Sequence, residues 1–194
     1  MKVIGITGGV GCGKSTVLDI IQENFNAYII KADDVAKELM SKDAKGYNHV
    51  LDFFGMDILD ANREIDRPKL AGIVFDNPNK RMVLNSIIHP MVKSEIIATI
   101  TELKIQDKYD YVFVEAALLL EDHYDVFLDE IWYVYAPVDV RKKRLIESRG
   151  YTEERIESMM ASQLSENEFR LSSDVVVDNS GSKEETYALL VNLL

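Results

Sequence analysis

Nine residues near the start of the chain, GGVGCGKST from Gly8 to Thr16, constrain the fold more than any other feature. They fit the pattern Gly-x-x-x-x-Gly-Lys-Ser and follow a short apolar, β-branched run at residues 2–6. The stretch from residue 14 to 25 that comes next places Val17, Leu18, Ile20, Ile21 and Phe25 at helical spacing. Strand, glycine-rich turn and helix in that order make a phosphate-binding loop. Glycines let the backbone turn several N–H groups toward one polyphosphate, and the helix adds its positive N-terminal end. The loop residues Gly8, Gly9, Val10, Gly11, Cys12, Gly13, Lys14, Ser15 and Thr16 are therefore expected to hold a nucleoside triphosphate. Lys14 is assigned to the β- and γ-phosphates, the Ser15 hydroxyl to Mg²⁺, and Thr16 to the α-phosphate. Cys12 is read as a small residue at a variable position of the loop.

Four further strand-like runs follow, at residues 27–32, 111–115, 131–135 and 175–177. Near-continuous apolar strands separated by helices predict a parallel sheet covered on both faces. The expected architecture is a three-layer α/β/α fold with a five-stranded parallel sheet, its core formed by residues 1–33, 104–137 and 173–194. Two segments exceed what crossover connections need. Residues 34–103 read as a helical acceptor-binding insert, with Asp66 before Arg67-Pro68 as a helix start and Pro90 restarting the chain into a second helix. Residues 138–172 read as a helical lid, with Thr152 as an N-cap. Ser182 and Glu185 form a capping box for the last helix.

The chain has 194 residues and a formal net charge of -11, which argues against a general nucleic-acid binder. No apolar run approaches the ~20 residues that span a bilayer. The first residues lack the apolar core of a signal peptide. With one cysteine there is no intrachain disulfide, in keeping with a reducing cytoplasm. Against this acidic background the run Arg141, Lys142, Lys143, Arg144 stands out, with Arg149 close behind. Arg141, Arg144 and Arg149 are the candidates for closing over a triphosphate and neutralising charge during transfer. Glu115 ends the third strand, where a carboxylate can hold the hydration shell of Mg²⁺. Asp33 follows the second strand at the carboxyl end of the sheet, where ligands lie. It suits either a base that deprotonates an alcohol or a helix N-cap, and Asp34 competes for the second role.

These residues resemble the dephospho-coenzyme A kinase family over nearly the whole chain. The resemblance rests on IGITGGVGCGKST, ADDVAKEL, the insert IDRPKLAGIVFDNPNKRMVLNSIIHPMV, EAALLLE, the basic segment, ASQ at residues 161–163 and DVVVDNSGS. It implies transfer of a phosphoryl group from ATP, with Mg²⁺, to the 3′-hydroxyl of the ribose of dephospho-coenzyme A. It implies that Asp33 is the base, and that Arg81, His89, Pro90, Glu115 and Leu118 serve the acceptor. Arg144 and Arg149 then act with Lys14 in catalysis, and Arg141 and Asn179 contact the nucleotide, Asn179 at the adenine. The chain departs from the family at three places. Lys31 stands where an acid is usual, Ala117 where a proline is usual, and Arg149 lies one residue further from Arg144 than expected. Another small-molecule or nucleoside monophosphate kinase of the same build is the alternative, and a nucleotide-dependent switch or binding module is a reading of a different class. The enzyme is expected to be a cytoplasmic monomer or small homo-oligomer.

Overall fold

The computed structural model describes residues 1–116 and 118–194; the departure at Ala117 lies outside the described residues. Five strands form one sheet in the order β2-β3-β1-β4-β5. They are β1 (Lys2–Thr7), β2 (Ala27–Lys31), β3 (Tyr111–Glu115), β4 (Glu130–Tyr135) and β5 (Val175–Asp178). β1 runs parallel to both neighbours, with Ile4 opposite Phe113 on β3 and Ile6 opposite Trp132 on β4, and β4 runs parallel to β5. Helices cover both faces, giving the three-layer α/β/α arrangement that the alternating pattern predicts.

The chain divides into two compact units, residues 1–29 with 103–194, and residues 30–102. In the first, α1 (Lys14–Asn24) and α9 (Lys183–Leu193) pack on the sheet. Val17, Leu18, Ile21 and Leu190 meet Ile4, Ile6, Phe113, Trp132, Val134 and Val177 in one core. Full burial of each such side chain contributes about 1.5–3 kcal/mol. Phe113 and Trp132 meet edge to face at 5.5 Å, and the indole N–H donates to Glu130 at 2.9 Å, so the largest core side chain leaves no polar atom unpaired. Two aspartates close strand beginnings: Asp129 accepts the Val3 N–H at 2.7 Å and Asp174 accepts the Ile131 N–H at 2.8 Å. The basic segment is α6 (Val138–Arg149), ended by Gly150 at φ 62°. α7 (Glu153–Ala161) starts at Thr152, whose hydroxyl accepts the Arg155 N–H, and α8 (Glu166–Leu171) starts at a capping box of Ser165 and Glu168.

The second unit holds α2 (Ala32–Leu39), α3 (Tyr47–Phe54), a 3₁₀ turn at Met56–Ile58, α4 (Arg67–Phe75) and most of α5 (Pro78–Gln106). Its buried side chains include Leu39, Val50, Ile58, Leu70, Ile88, Val92 and Ile96. Gly46 lets the chain come close, because a Cβ there would meet the Leu39 carbonyl oxygen at 2.9 Å and Ile88 at 3.2 Å. Asp66 is the N-cap of α4, as its place before Arg67-Pro68 predicts.

One expectation fails in this unit. Pro90 does not restart the chain; it lies inside the 29-residue helix α5. A proline removes a single i→i−4 hydrogen bond and crowds the carbonyl four residues back. Pro90 is exposed, so that carbonyl, on exposed Ser86, can turn to water, and the apolar positions Ile88, Val92, Ile96 and Ile100 hold the helix on either side. Pro90→Ala should therefore stabilise the protein by about 1–2 kcal/mol, the helix gain being partly offset by a freer unfolded chain. Denaturant unfolding monitored by circular dichroism checks the sign.

Candidate active site

The phosphate-binding loop owes its shape to what holds its carbonyl oxygens. Turning N–H groups inward turns carbonyls outward, and those need donors once buried. Lys14 Nζ donates to the Gly8 oxygen at 2.7 Å, and the Cys12 N–H donates to that of Gly9 at 3.2 Å. Arg141 Nε donates to the Val10 oxygen at 2.8 Å. The Cys12 oxygen receives Asn179 Nδ2 at 2.8 Å and Arg144 Nη1 at 3.3 Å, and Asn179 Nδ2 also lies 3.5 Å from the Gly13 oxygen. Arg144 Nη2 donates in turn to the Asn179 carbonyl at 2.8 Å. The Thr186 hydroxyl donates to Asn179 Oδ1 at 3.0 Å, which fixes the carboxamide with its NH₂ toward the loop. Three elements thus brace the loop: α6 through its two arginines, the turn after β5 through Asn179, and α9 through Thr186.

Glycine is required where these braces approach. Gly13 has φ 90°, and a Cβ there would strike the Asn179 amide. Gly11 has φ 78°, and a Cβ would come within 2.9 Å of the Arg141 carbonyl oxygen and 3.0 Å of Leu145.

Around the loop lies a cavity of about 730 Å³. The loop residues Gly9, Val10, Gly11, Gly13, Lys14, Ser15 and Thr16 line it together with Glu115, Arg144 and Arg149. The structure therefore gathers three cations and the two expected oxygen ligands, Ser15 and Glu115, in one hollow. An all-oxygen donor pair suits a hard divalent ion. No group of three or more His, Cys, Asp or Glu side chains able to hold a metal occurs among the described residues, so such an ion would draw its other ligands from phosphate and water. Arg149 is exposed and hydrogen-bonds the Tyr151 hydroxyl, which holds that phenol below its ordinary pKa; Arg155 stacks over the same ring at 3.9 Å.

Several sequence expectations change in detail. Cys12, read as a small loop residue, is buried: it is 1% exposed, its side chain belongs to the core, and its N–H and carbonyl are both engaged within the protein. Arg141 fastens the loop rather than lining the cavity. The Asn179 side chain is 3% exposed, and its carboxamide is bonded to the Cys12 and Gly13 oxygens and to Thr186, so it braces the loop from within. Leu118 is 40% exposed in the turn after β3, outside the cavity lining. Asp33 lies in the first turn of α2, whose N-cap position is Lys31. Neither aspartate caps that helix. Asp34 pairs with Lys37 at 2.5 Å, whereas Asp33 is exposed and makes no hydrogen bond or ion pair among the described residues. Arg81 is exposed near the start of α5, His89 is half-buried in its middle, and Pro90 borders a hollow of about 260 Å³ with Lys45 and Glu95. Met159 and Gln163 also line the main cavity, and Gln163 accepts the Val10 N–H at 2.9 Å. The run ASQ was the sequence signal for it, but a lone glutamine after a helix carries no spacing that assigns a role.

The chain as a whole is similar to known proteins. The family model for dephospho-CoA kinase matches residues 2–185. A dephospho-CoA kinase of Carboxydothermus hydrogenoformans is 39% identical, over 100% of this chain and 93% of its own length. The crystal structure of TT1252 from Thermus thermophilus superposes with a TM-score of 0.78 at 26% identity, covering 99% of this chain and 96% of that one. A dephospho-CoA kinase structure from Campylobacter jejuni gives a TM-score of 0.74 at 25% identity, covering 100% and 96%.

Gly13→Ala tests the brace at its tightest point. Left-handed strain and displacement of Asn179 together should cost at least about 2 kcal/mol of stability. Nucleotide affinity should fall by at least about tenfold. Thermal unfolding and calorimetric titration with ADP measure the two.

Proposed function

The chain belongs to the dephospho-CoA kinase family, and from that premise we propose how its own residues carry the phosphoryl transfer. The enzyme phosphorylates dephospho-coenzyme A to give coenzyme A, the last step of coenzyme A biosynthesis, with ATP as donor. The single observation that carries the residue assignment is the cavity that brings Lys14, Ser15, Glu115, Arg144 and Arg149 around the braced loop.

In this reading the loop N–H groups of residues 11 and 13–16 hold the triphosphate. Lys14 exchanges the Gly8 carbonyl for phosphate oxygens, a stronger, charge-assisted partner. Ser15 and Glu115 would hold Mg²⁺, which would supply neutralisation of the phosphate charge. Arg144, which lines the cavity, keeps its Nη groups on the Cys12 and Asn179 oxygens and presents its charge to the phosphates from there. Arg149, exposed at the end of α6, stabilises charge on the transferring group.

Asp33 orients the ribose 3′-hydroxyl and takes its proton. The hydroxyl oxygen forms a bond to the γ-phosphorus, the bond from that phosphorus to the β–γ bridging oxygen breaks, and ADP leaves with the electron pair. What supports Asp33 is its place after the carboxyl end of β2, its exposure, and the absence of the capping role that would otherwise explain it. Arg81, His89 and Pro90 are assigned to the acceptor, all three on α5. Residues 34–103 serve as the acceptor-binding insert and residues 138–172 as the lid, whose closure excludes water and prevents hydrolysis of ATP.

No described helix is long and apolar enough to cross a membrane. The one cysteine is a buried free thiol, which supports a reducing, cytoplasmic setting. We assign no nucleic-acid partner to a chain of net charge -11.

Asp33→Asn is expected to lower kcat by a factor on the order of 10²–10⁴ while ATP affinity stays nearly unchanged. A coupled assay of ADP release with dephospho-coenzyme A gives the first quantity and calorimetry the second. Near-normal turnover would remove Asp33 from the base role.

A further inference from the structure

Gln163 stands in the connection between α7 and α8, and its Oε1 accepts the Val10 N–H at 2.9 Å across 153 positions of sequence. A backbone N–H can only donate, so this bond sets the orientation of the carboxamide: oxygen on the loop, NH₂ at the opposite end. That NH₂ has no hydrogen-bond partner among the described residues, and Gln163 lines the same cavity as Lys14, Ser15 and Arg149.

The side chain rests on a firmly held support. The Val10 backbone is fixed on both sides, its N–H on Gln163 and its oxygen on Arg141. α7 is anchored by Ile156, which is fully buried, and by the ion pair of Glu157 with Lys142 of α6 at 2.7 Å. α8 is anchored by Phe169, stacked on Tyr133 with the ring centres 5.0 Å apart. A neutral donor held at both flanks and through its own oxygen needs little reorganisation to meet charge that develops in front of it.

We propose that Gln163 is a further catalytic residue of this enzyme: its NH₂ group donates a hydrogen bond to an oxygen of the phosphoryl group in transfer. The inference rests on the assignment of the cavity to the triphosphate. During transfer, charge is spread over the three equatorial oxygens of the moving group. Lys14 and the arginines attract the whole triphosphate, in the ground state as well. A neutral amide contributes little to overall attraction, so its effect falls mainly on the transfer step.

Two substitutions in the full-length enzyme separate the donor from the tie to Val10. Gln163→Glu keeps an acceptor for the Val10 N–H and replaces the NH₂ donor with an anionic oxygen. Gln163→Met removes both polar groups at similar size. The proposal predicts that Gln163→Glu keeps the wild-type unfolding temperature and loses kcat by a factor on the order of 10². Gln163→Met should lose kcat to a similar degree and bind ADP, which lacks the group in transfer, within about threefold of wild type. Near-normal kcat in Gln163→Glu would show that only the tie to the loop matters and would overturn the proposal. Loss of ADP binding in Gln163→Met would overturn it as well, by placing the effect on the loop. Lys14→Ala serves as the reference. If that variant binds ADP like the wild type, the assignment of the cavity itself fails. If it loses ADP while Gln163→Glu turns over normally, only the role of Gln163 fails.

Discussion

A loop that points its N–H groups at a ligand must find donors for the carbonyls it points away. In this protein that need is met by two arginines, one asparagine and a lysine, on the oxygens of Gly8, Val10, Cys12 and Gly13. Each hydrogen bond is worth about 1 kcal/mol net, but leaving a buried carbonyl without a donor costs about 1–3 kcal/mol. The arrangement of α6 against the loop, the burial of Asn179 after β5 and the hydroxyl of Thr186 on α9 all follow from this single requirement. Sheet topology makes it possible, because β1 and β4 are neighbours and β5 lies beside β4. The segments that follow these three strands therefore emerge side by side at the same end of the parallel sheet.

Much of the fold was legible in the sequence because the signals were local. The five apolar runs, the glycine-lysine-serine turn and the caps at Asp66, Thr152 and Ser182 each act within a few residues, and each appears in the structure. Pro90 was read as a break because its local rule is strong. Tertiary packing overrode it, since exposed Pro90 lies within a helix anchored by Ile88 and Val92. The site was legible in part. Lys14, Ser15, Glu115, Arg144 and Arg149 share one cavity, as their chemistry predicts. Asn179 was assigned to the nucleotide by the family resemblance, and Arg141 by its place in the basic run. Their actual partners are backbone carbonyls, which no sequence pattern displays. Gln163 escaped for the same reason, its partner being the amide of Val10.

Two of the departures that the resemblance implies acquire physical meaning in the structure. Lys31 occupies the N-cap place of α2 without a side-chain cap, and its charge helps the stronger Lys37 pairing hold the Asp34 carboxyl below the usual range. The cation thus acts on the neighbour of the proposed base, in a helix turn that already carries two acids. Arg149 lies at the last position of α6, immediately before the left-handed Gly150, and reaches the cavity from there. The extra residue between Arg144 and Arg149 is accommodated at the helix end, where direction is set by the turn as much as by helical phase.

The central claim is that buried donors behind the loop, and not contacts to the nucleoside, give it its grip on phosphate. The most direct test is calorimetric binding of inorganic tripolyphosphate, which has no base or sugar, to the wild type and to Asn179→Ala. A loss of at least about tenfold in tripolyphosphate affinity, matched by a similar loss for ATP, is the predicted result. If tripolyphosphate bound the variant as tightly as the wild type while ATP bound more weakly, Asn179 would be a nucleoside contact and the account would be wrong.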